Sequence, residues 1–215
     1  MADLDTVDAS QVRCFDPEAE EAMIAEIKAA AKVGDSLGGV VEVIAYGAPV
    51  GLGSHVHWDR RLDGLLAQAL ISIQAVKGVE IGDALDVAGR RGSEAHDPIS
   101  WDAGGSRYVR QSNWSGGVEG GMSNGEPIVA RVAMKPLATL NRPVLKTVDV
   151  VTKEETVSFK ERTDVTAVPA MGVVAETMTA LVLAGEVLRK FGGDSVEELV
   201  RNHRAYVDSL SASQP

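Results

Sequence analysis

From Gly116 to Thr139 the chain reads GGVEGGMSNGEPIVARVAMKPLAT, with five glycines and an Asn-Gly pair in its first ten residues. Glycines this dense cannot stabilise a helix or a strand, since each costs conformational entropy and brings no side chain to pack. They permit backbone at positive φ and let bare N–H groups approach a ligand. An apolar run of strand length, Ile128 to Met134, follows, and Lys135-Pro136 closes it. Loop amides followed by an ammonium suit an anion, above all a phosphate-bearing ligand. The spacing fits neither standard nucleotide motif. A P-loop requires GxxxxGK[ST], whereas Lys135 comes ten residues after Gly125 and across a strand. A dinucleotide fingerprint runs from glycines into a helix, and these run into a strand. An ordinary Gly-rich β-connection is the plainer reading of the glycines alone.

Other residue types offer less chemistry. His55-x-His57 followed by Asp59 resembles a metal pair, because alternate strand residues share a face. No further ligand stands at a sensible spacing, so a structural or surface role is the better reading. Trp58-Asp59-Arg60-Arg61-Leu62 reads as a helix start with local charge pairs, and His96 falls in an Asp-Pro turn. The carboxylates from Glu18 to Glu26 read as a solvated helix face. Cys14 is the single cysteine, which leaves neither an intramolecular disulfide nor a zinc cluster.

The elements that must carry these residues belong to a chain of 215, 45% hydrophobic and 24% charged, enough to bury a sizeable core. With nine aromatics, that core must be built from Val, Leu, Ile, Ala and Met. A net charge of −10 argues against nonspecific nucleic-acid binding, which needs a positive face. No apolar run reads as long enough for a membrane span, and MADLDTVDAS lacks the basic-then-apolar order of a signal peptide. A cytoplasmic location, with neither nucleic acid nor membrane as partner, is therefore expected.

Residues 1–10 read as a tail. Asp16-Pro17-Glu18 reads as the cap, first-turn proline and acidic start of a helix that Gly34 stops. Gly38-Gly39 introduces a strand over Val40–Tyr46. A helix is expected over Leu62–Val76 and a strand over Lys77–Asp83, followed by mixed polar sequence to Trp114. After the Ile128–Met134 strand, Val144–Val151 and Thr156–Phe159 suggest a hairpin. A long helix over Gly172–Phe191 serves as core or subunit interface and stops at Gly192-Gly193. Asp194-Ser195 then caps a last helix to about Ser209, and residues 210–215 read as a tail. Strands and helices mix without a regular βαβ beat, so the expected class is α+β, antiparallel sheets packed with helices.

Six segments, in order, carry a family resemblance: GGVVEVIAYGAPVGLG, HWDRRLD, QAVKGVEIGD, NWSGGVEGGMSNGEPI, AMKP and RTDVTAVPAMGVVAETMTALVLA. Together they resemble the C-terminal half of chorismate synthase of the actinobacterial type, over residues 11–209. The resemblance implies half of that family's β-α-β sandwich and a homotetramer. It further implies the conversion of 5-enolpyruvylshikimate 3-phosphate to chorismate by anti-1,4-elimination of phosphate, with reduced FMN as cofactor. It places Gln74, Ala75, Gly120, Lys135, Pro136, Leu137, Ala138, Thr139 and Arg162 at flavin-contacting positions. Asp164 takes the catalytic position beside flavin and substrate, where it would orient the flavin or tune a ring nitrogen.

The departures are as specific. The family's upstream Gly-Glu-Ser-His-Gly segment, arginine cluster and second histidine are absent from this chain. A flexible family glycine is Ala84, strained by roughly 1 kcal/mol if that position needs positive φ. A family cysteine is Thr166, and the chain is one residue longer near Val144. Two readings stay open: an FMN-dependent lyase by family, or a catalytically silent fragment that binds FMN weakly or serves only as a structural half.

Overall fold

Asp16 opens the first long helix in the way its side chain dictates. The chain begins with a short helix α1 (Leu4–Ala9), and helix α2 (Pro17–Val33) follows. The Asp16 carboxylate accepts from the N–H groups of Glu18 and Ala19, Pro17 stands in the first turn, and Gly34 ends the helix at φ +73°. Strand β1 (Gly39–Ala45), a 3₁₀ turn at Trp58–Arg60, helix α3 (Leu62–Ile71) and strand β2 (Val76–Ile81) come next. Two short helices, α4 (Ala84–Val87) and α5 (Gly92–Ala95), precede strands β3 (Ile99–Asp102) and β4 (Arg107–Arg110). Then come β5 (Val118–Glu119), β6 (Met122–Ser123), β7 (Ile128–Met134), β8 (Lys146–Val148) and β9 (Glu155–Val157), and finally helices α6 (Val168–Phe191) and α7 (Val196–Ala212). This computed structural model describes residues 4–104, 107–161 and 164–212. The class is α+β, with small antiparallel sheets and helices.

β7 lies at the centre of a three-stranded sheet of order β1-β7-β2. Lys135 N–H donates to Ala75 O at 3.0 Å, and Gly82 N–H donates to Val129 O at 2.9 Å. Opposite ends of β2 and β7 therefore meet, so this pair is antiparallel. Along β7, Ile128, Ala130 and Val132 are buried and alternate with more exposed residues, the period of two expected of a strand. The β3–β4, β5–β6 and β8–β9 pairs are antiparallel ribbons.

Two compact units divide the chain. One comprises residues 1–41, 75–77 and 133–173; the other comprises 42–74, 78–132 and 174–215. In the second, Leu52, Leu62, Leu66, Val118, Ile128 and Phe191 form the core. Leu62, Leu66 and Leu70 recur every fourth residue of α3 and are fully buried, each stabilising by about 1.5–3 kcal/mol. In the first, Ala30 and Met171 are buried, whereas every residue of β8 and β9 is exposed.

Several boundaries differ from the expectation. α3 stops at Ile71 rather than continuing to Val76, because Ala75 turns left-handed at φ +64° and Val76 already starts β2. Ala84 begins a helix and is not among the described non-glycine residues at positive φ, so its methyl group causes no strain there. Instead Gly82 holds the left-handed position, φ +63°, where a Cβ would crowd Gly116 N at 2.5 Å. α6 starts four residues early, at Val168, whose N–H donates to Thr166 Oγ1 at 3.2 Å. By length and composition alone α6 is also apolar enough to cross a membrane, with mean hydropathy 1.6, because Glu176 and Glu186 interrupt its apolar run only sparsely. A core helix of a globular protein meets the same criterion.

Candidate functional site

Lys135 directly follows β7 with its side chain exposed, and its backbone is fixed from two directions. Its N–H bonds Ala75 O, and Ala75 is one of the few described non-glycine residues in the left-handed region. That conformation costs on the order of 1–2 kcal/mol for a residue with a Cβ. It turns the chain out of the α3 end and presents the Ala75 carbonyl to Lys135. Gln74, just before it, is exposed. Pro136 has no N–H to continue the ladder, so the strand ends where Lys135 projects.

The loop 34–38 grips the segment that follows. The buried Ser36 hydroxyl donates to Leu137 O at 2.6 Å. Gly38 comes so close that a Cβ there would meet Met134 O, and Pro136 N at 2.9 Å. Leu37 N–H donates to Val165 O at 2.7 Å, next to Asp164. Asp35 pairs with Arg142. One five-residue loop thus ties the Lys135–Thr139 strip to the Asp164 strip, and Ala138 and Thr139 lie exposed between. Arg162 lies outside the described residues. The sequence signal for this loop was Gly38-Gly39, read above only as a strand start. Gly38 is needed for close approach, since its φ is not in the left-handed region.

The glycine-rich segment divides its tasks. Gly116 and Gly117 are buried at positive φ, and a Cβ on either would collide with neighbouring backbone. Gly120 and Gly121 form the two-residue turn of the β5–β6 hairpin at φ +60° and +85°, the double positive φ of a type I′ turn. Gly121 packs against Ser54 O and Arg61, whereas a Cβ on Gly120 would meet open space. Gly120 is the one of these four that offers bare, accessible backbone.

Arg131 is a cation on β7 that sequence reasoning passed over, and its charge is already engaged. Its Nε donates to Glu42 at 2.7 Å and its Nη1 to Asp83 at 2.5 Å, with Glu80 3.6 Å away. The hydrogen bond to Asp83 above all, against the opposing effect of burial, raises its pKa further. Asp97, also unforeseen, is a buried carboxylate accepting from Ser112 Oγ at 2.6 Å and from the N–H groups of Trp114 and Ser115. Burial opposes its ionisation, but those three donors together hold its pKa below the ordinary value. It fixes the loop entering the glycine-rich segment, where Asp83 N–H donates to Trp114 O. His55 and His57 are exposed. Among the described residues no group of three His, Cys, Asp or Glu is placed to hold a metal.

The segments bearing these features are those of known proteins. A sequence model of the family described as chorismate synthase matches residues 2–188. The chain belongs to the chorismate synthase family. A chorismate synthase of Thermobifida fusca is 62% identical over 208 residues, covering 97% of this chain and 52% of its own length. That of Streptomyces coelicolor is 59% identical over 209 residues, again 97% of this chain and 52% of its own. A crystal structure described as chorismate synthase superposes with a TM-score of 0.81 at 44% identity, covering 97% of this chain and 54% of the other. The chain therefore spans about half the length of the chorismate synthases it matches. All the candidate positions, Gln74 to Asp164, fall within the matched region; α7 lies wholly beyond it.

Proposed function

We propose that this chain carries the flavin side of a chorismate synthase, which uses reduced FMN to eliminate phosphate from 5-enolpyruvylshikimate 3-phosphate. The observation behind this reading is the bracketing of Lys135 by left-handed Ala75 and by the loop 34–38, which also reaches Val165 beside Asp164. Backbone strain of this kind is often found where a site must be held in place, which is what supports the reading. Each unit by itself brings a group suited to the cofactor: in one, an exposed ammonium at Lys135 for a phosphate or ring oxygen; in the other, bare backbone at Gly120. Gln74, Ala75, the Lys135–Thr139 strip and Arg162 complete the proposed flavin contacts. Asp164 is the proposed catalytic group, orienting the flavin or tuning a ring nitrogen. Reduced FMN, when bound, supplies electrons that are returned before turnover ends, so the net reaction is redox-neutral.

The elimination breaks the C3–O bond to phosphate and transfers the C6 hydrogen's proton to a base as the new double bond forms. Cations must meet the departing phosphate. Of the residues proposed here, Lys135 and Arg162 would bring charge, and Asp164 is assigned to the flavin. The proposed assembly is a cytoplasmic homotetramer. The second reading is a structural half that binds FMN weakly without turnover.

Titration of the purified chain with FMN, followed by flavin fluorescence, tests the proposal. Saturable binding is expected, weakened about tenfold in Lys135→Ala. This is the low end for a charged hydrogen bond, because the ammonium is exposed. Unchanged affinity in the variant would remove Lys135 from the site.

A further inference from the structure

Glu186 is a buried carboxylate on α6, and the flavin reading makes no use of it. Its Oε2 accepts from Gly53 N–H at 2.9 Å and from Arg189 Nε at 2.8 Å. Arg189 Nη2 in turn donates to Gly53 O at 2.8 Å. One ion pair thus holds both the donor and the acceptor of the Gly53 residue. Gly53 lies at φ +86°, and a Cβ there would meet Gly121 O, and Leu62 Cβ at 2.8 Å. The same strip is bonded to the β5–β6 hairpin: Gly51 N–H to Ser123 O at 2.7 Å, Ser123 N–H to Leu52 O at 2.9 Å, and Gly53 bridged to Met122. Ser123 Oγ donates to Pro49 O at 2.6 Å and accepts from Leu52 N–H at 2.8 Å. Leu62 N–H donates to Gly121 O at 2.9 Å. The hairpin has only two residues in each strand, so its own ladder cannot fix it. Residues 49–54 hold it on one side, and Leu62 and the Arg110–Glu119 pair hold it elsewhere; α6 in turn holds Gly53.

We infer that Glu186 and Arg189 are positioning residues for the Gly120–Gly121 turn, holding its open backbone in place through Gly53. This rests on the proposal that Gly120 contacts FMN. Burying a carboxylate is favourable only when its partners are complete, so removing one partner releases the strip rather than merely weakening it.

Hydrogen exchange and FMN titration on the intact chain test this in Glu186→Ala, Glu186→Gln and Arg189→Ala. In Glu186→Ala, amides of residues 118–123 should exchange at least tenfold faster while those of α3 keep their protection, and the FMN dissociation constant should rise about tenfold. Glu186→Gln, which keeps an acceptor for Gly53 N–H, should fall between it and the parent. Exchange at 118–123 within twofold of the parent overturns the inference, as does faster exchange with unchanged FMN affinity. If the parent takes up no FMN, the flavin reading falls, and exchange alone decides the positioning role. If Glu186→Ala does not fold, Arg189→Ala gives the same readouts, because its side chain is partly exposed.

Discussion

A methyl group added at Gly38 would enter the backbone of Met134 and Pro136, atoms held by the sheet and unable to yield as a side-chain tip would. Gly38→Ala should cost about 1–3 kcal/mol, the range for overpacking, and lower the melting temperature by roughly 2–4 °C per kcal/mol. It should weaken FMN binding as well, because the strip it displaces carries Lys135. An unshifted melting temperature would show that the strip can move aside. Asp97 gives a pH prediction. Its pKa is lower in the folded chain than the ordinary carboxylate value of about 3.9, so its contribution is complete above that value. It is lost as the pH falls through the lower folded pKa. Asp97→Asn should destabilise by about 1–3 kcal/mol at pH 6 and by clearly less near pH 3, measured by urea denaturation. An equal difference at both pH values would place the role of Asp97 outside its charge. Lys135 stood out in the sequence because a cation after an apolar run is a local pattern. Ser36, Gly38 and Glu186 did not, because each acts on backbone about a hundred residues away, and Asp97 did not because its partners, 15 to 18 residues on, meet it only through the fold.

At the scale of elements, ends with their own chemistry were legible and ends set by tertiary contact were not. Asp16-Pro17 and Gly34 delimit α2 as read, since caps and positive-φ glycines act locally. Ser195 likewise caps α7, accepting from Glu198 N–H at 3.2 Å, while the Glu198 carboxylate returns to Asp194 N–H. β7 runs from Ile128 to Met134 as expected, its alternation and closing proline both being local. α3 was overextended because Ser72 to Ala75 keep the apolar rhythm while the chain has already turned. Ala84 was misjudged because the position needing left-handed backbone is Gly82, two residues earlier. Ala84→Gly should therefore destabilise, by up to about 1 kcal/mol, since it places glycine in a helix for no conformational gain. A higher melting temperature for the variant would contradict the helical conformation seen here.

At the scale of the molecule, family membership and fold class rest on nearly the whole chain, but the chain matches only about half of each relative. General acid–base groups typically contribute 10²–10⁴-fold each, and cations at the departing phosphate add to that. Of the groups this chemistry needs, the chain offers only the proposed flavin contacts and one proposed catalytic aspartate. Alone, it should give no measurable chorismate from 5-enolpyruvylshikimate 3-phosphate in an anaerobic assay with reduced FMN. Turnover that survives purification and disappears in Asp164→Ala would show that this chain is self-sufficient.

The division into two units carries a spectroscopic consequence. Trp58, Trp101, Trp114, Tyr46, Tyr108 and Tyr206 all fall in the unit of residues 42–74, 78–132 and 174–215, and the other unit has neither residue type. The absorbance and emission of tryptophan and tyrosine therefore observe one unit and are blind to the one holding Lys135 and Asp164. A thermal melt followed by tryptophan emission reports the buried leucines of α3 and not the loop 34–38. Cys14, the single thiol, lies in the silent unit, partly buried beside the start of α2. An environment-sensitive dye attached there would supply the missing signal, and coincidence or separation of the two melting curves would show whether the units unfold together.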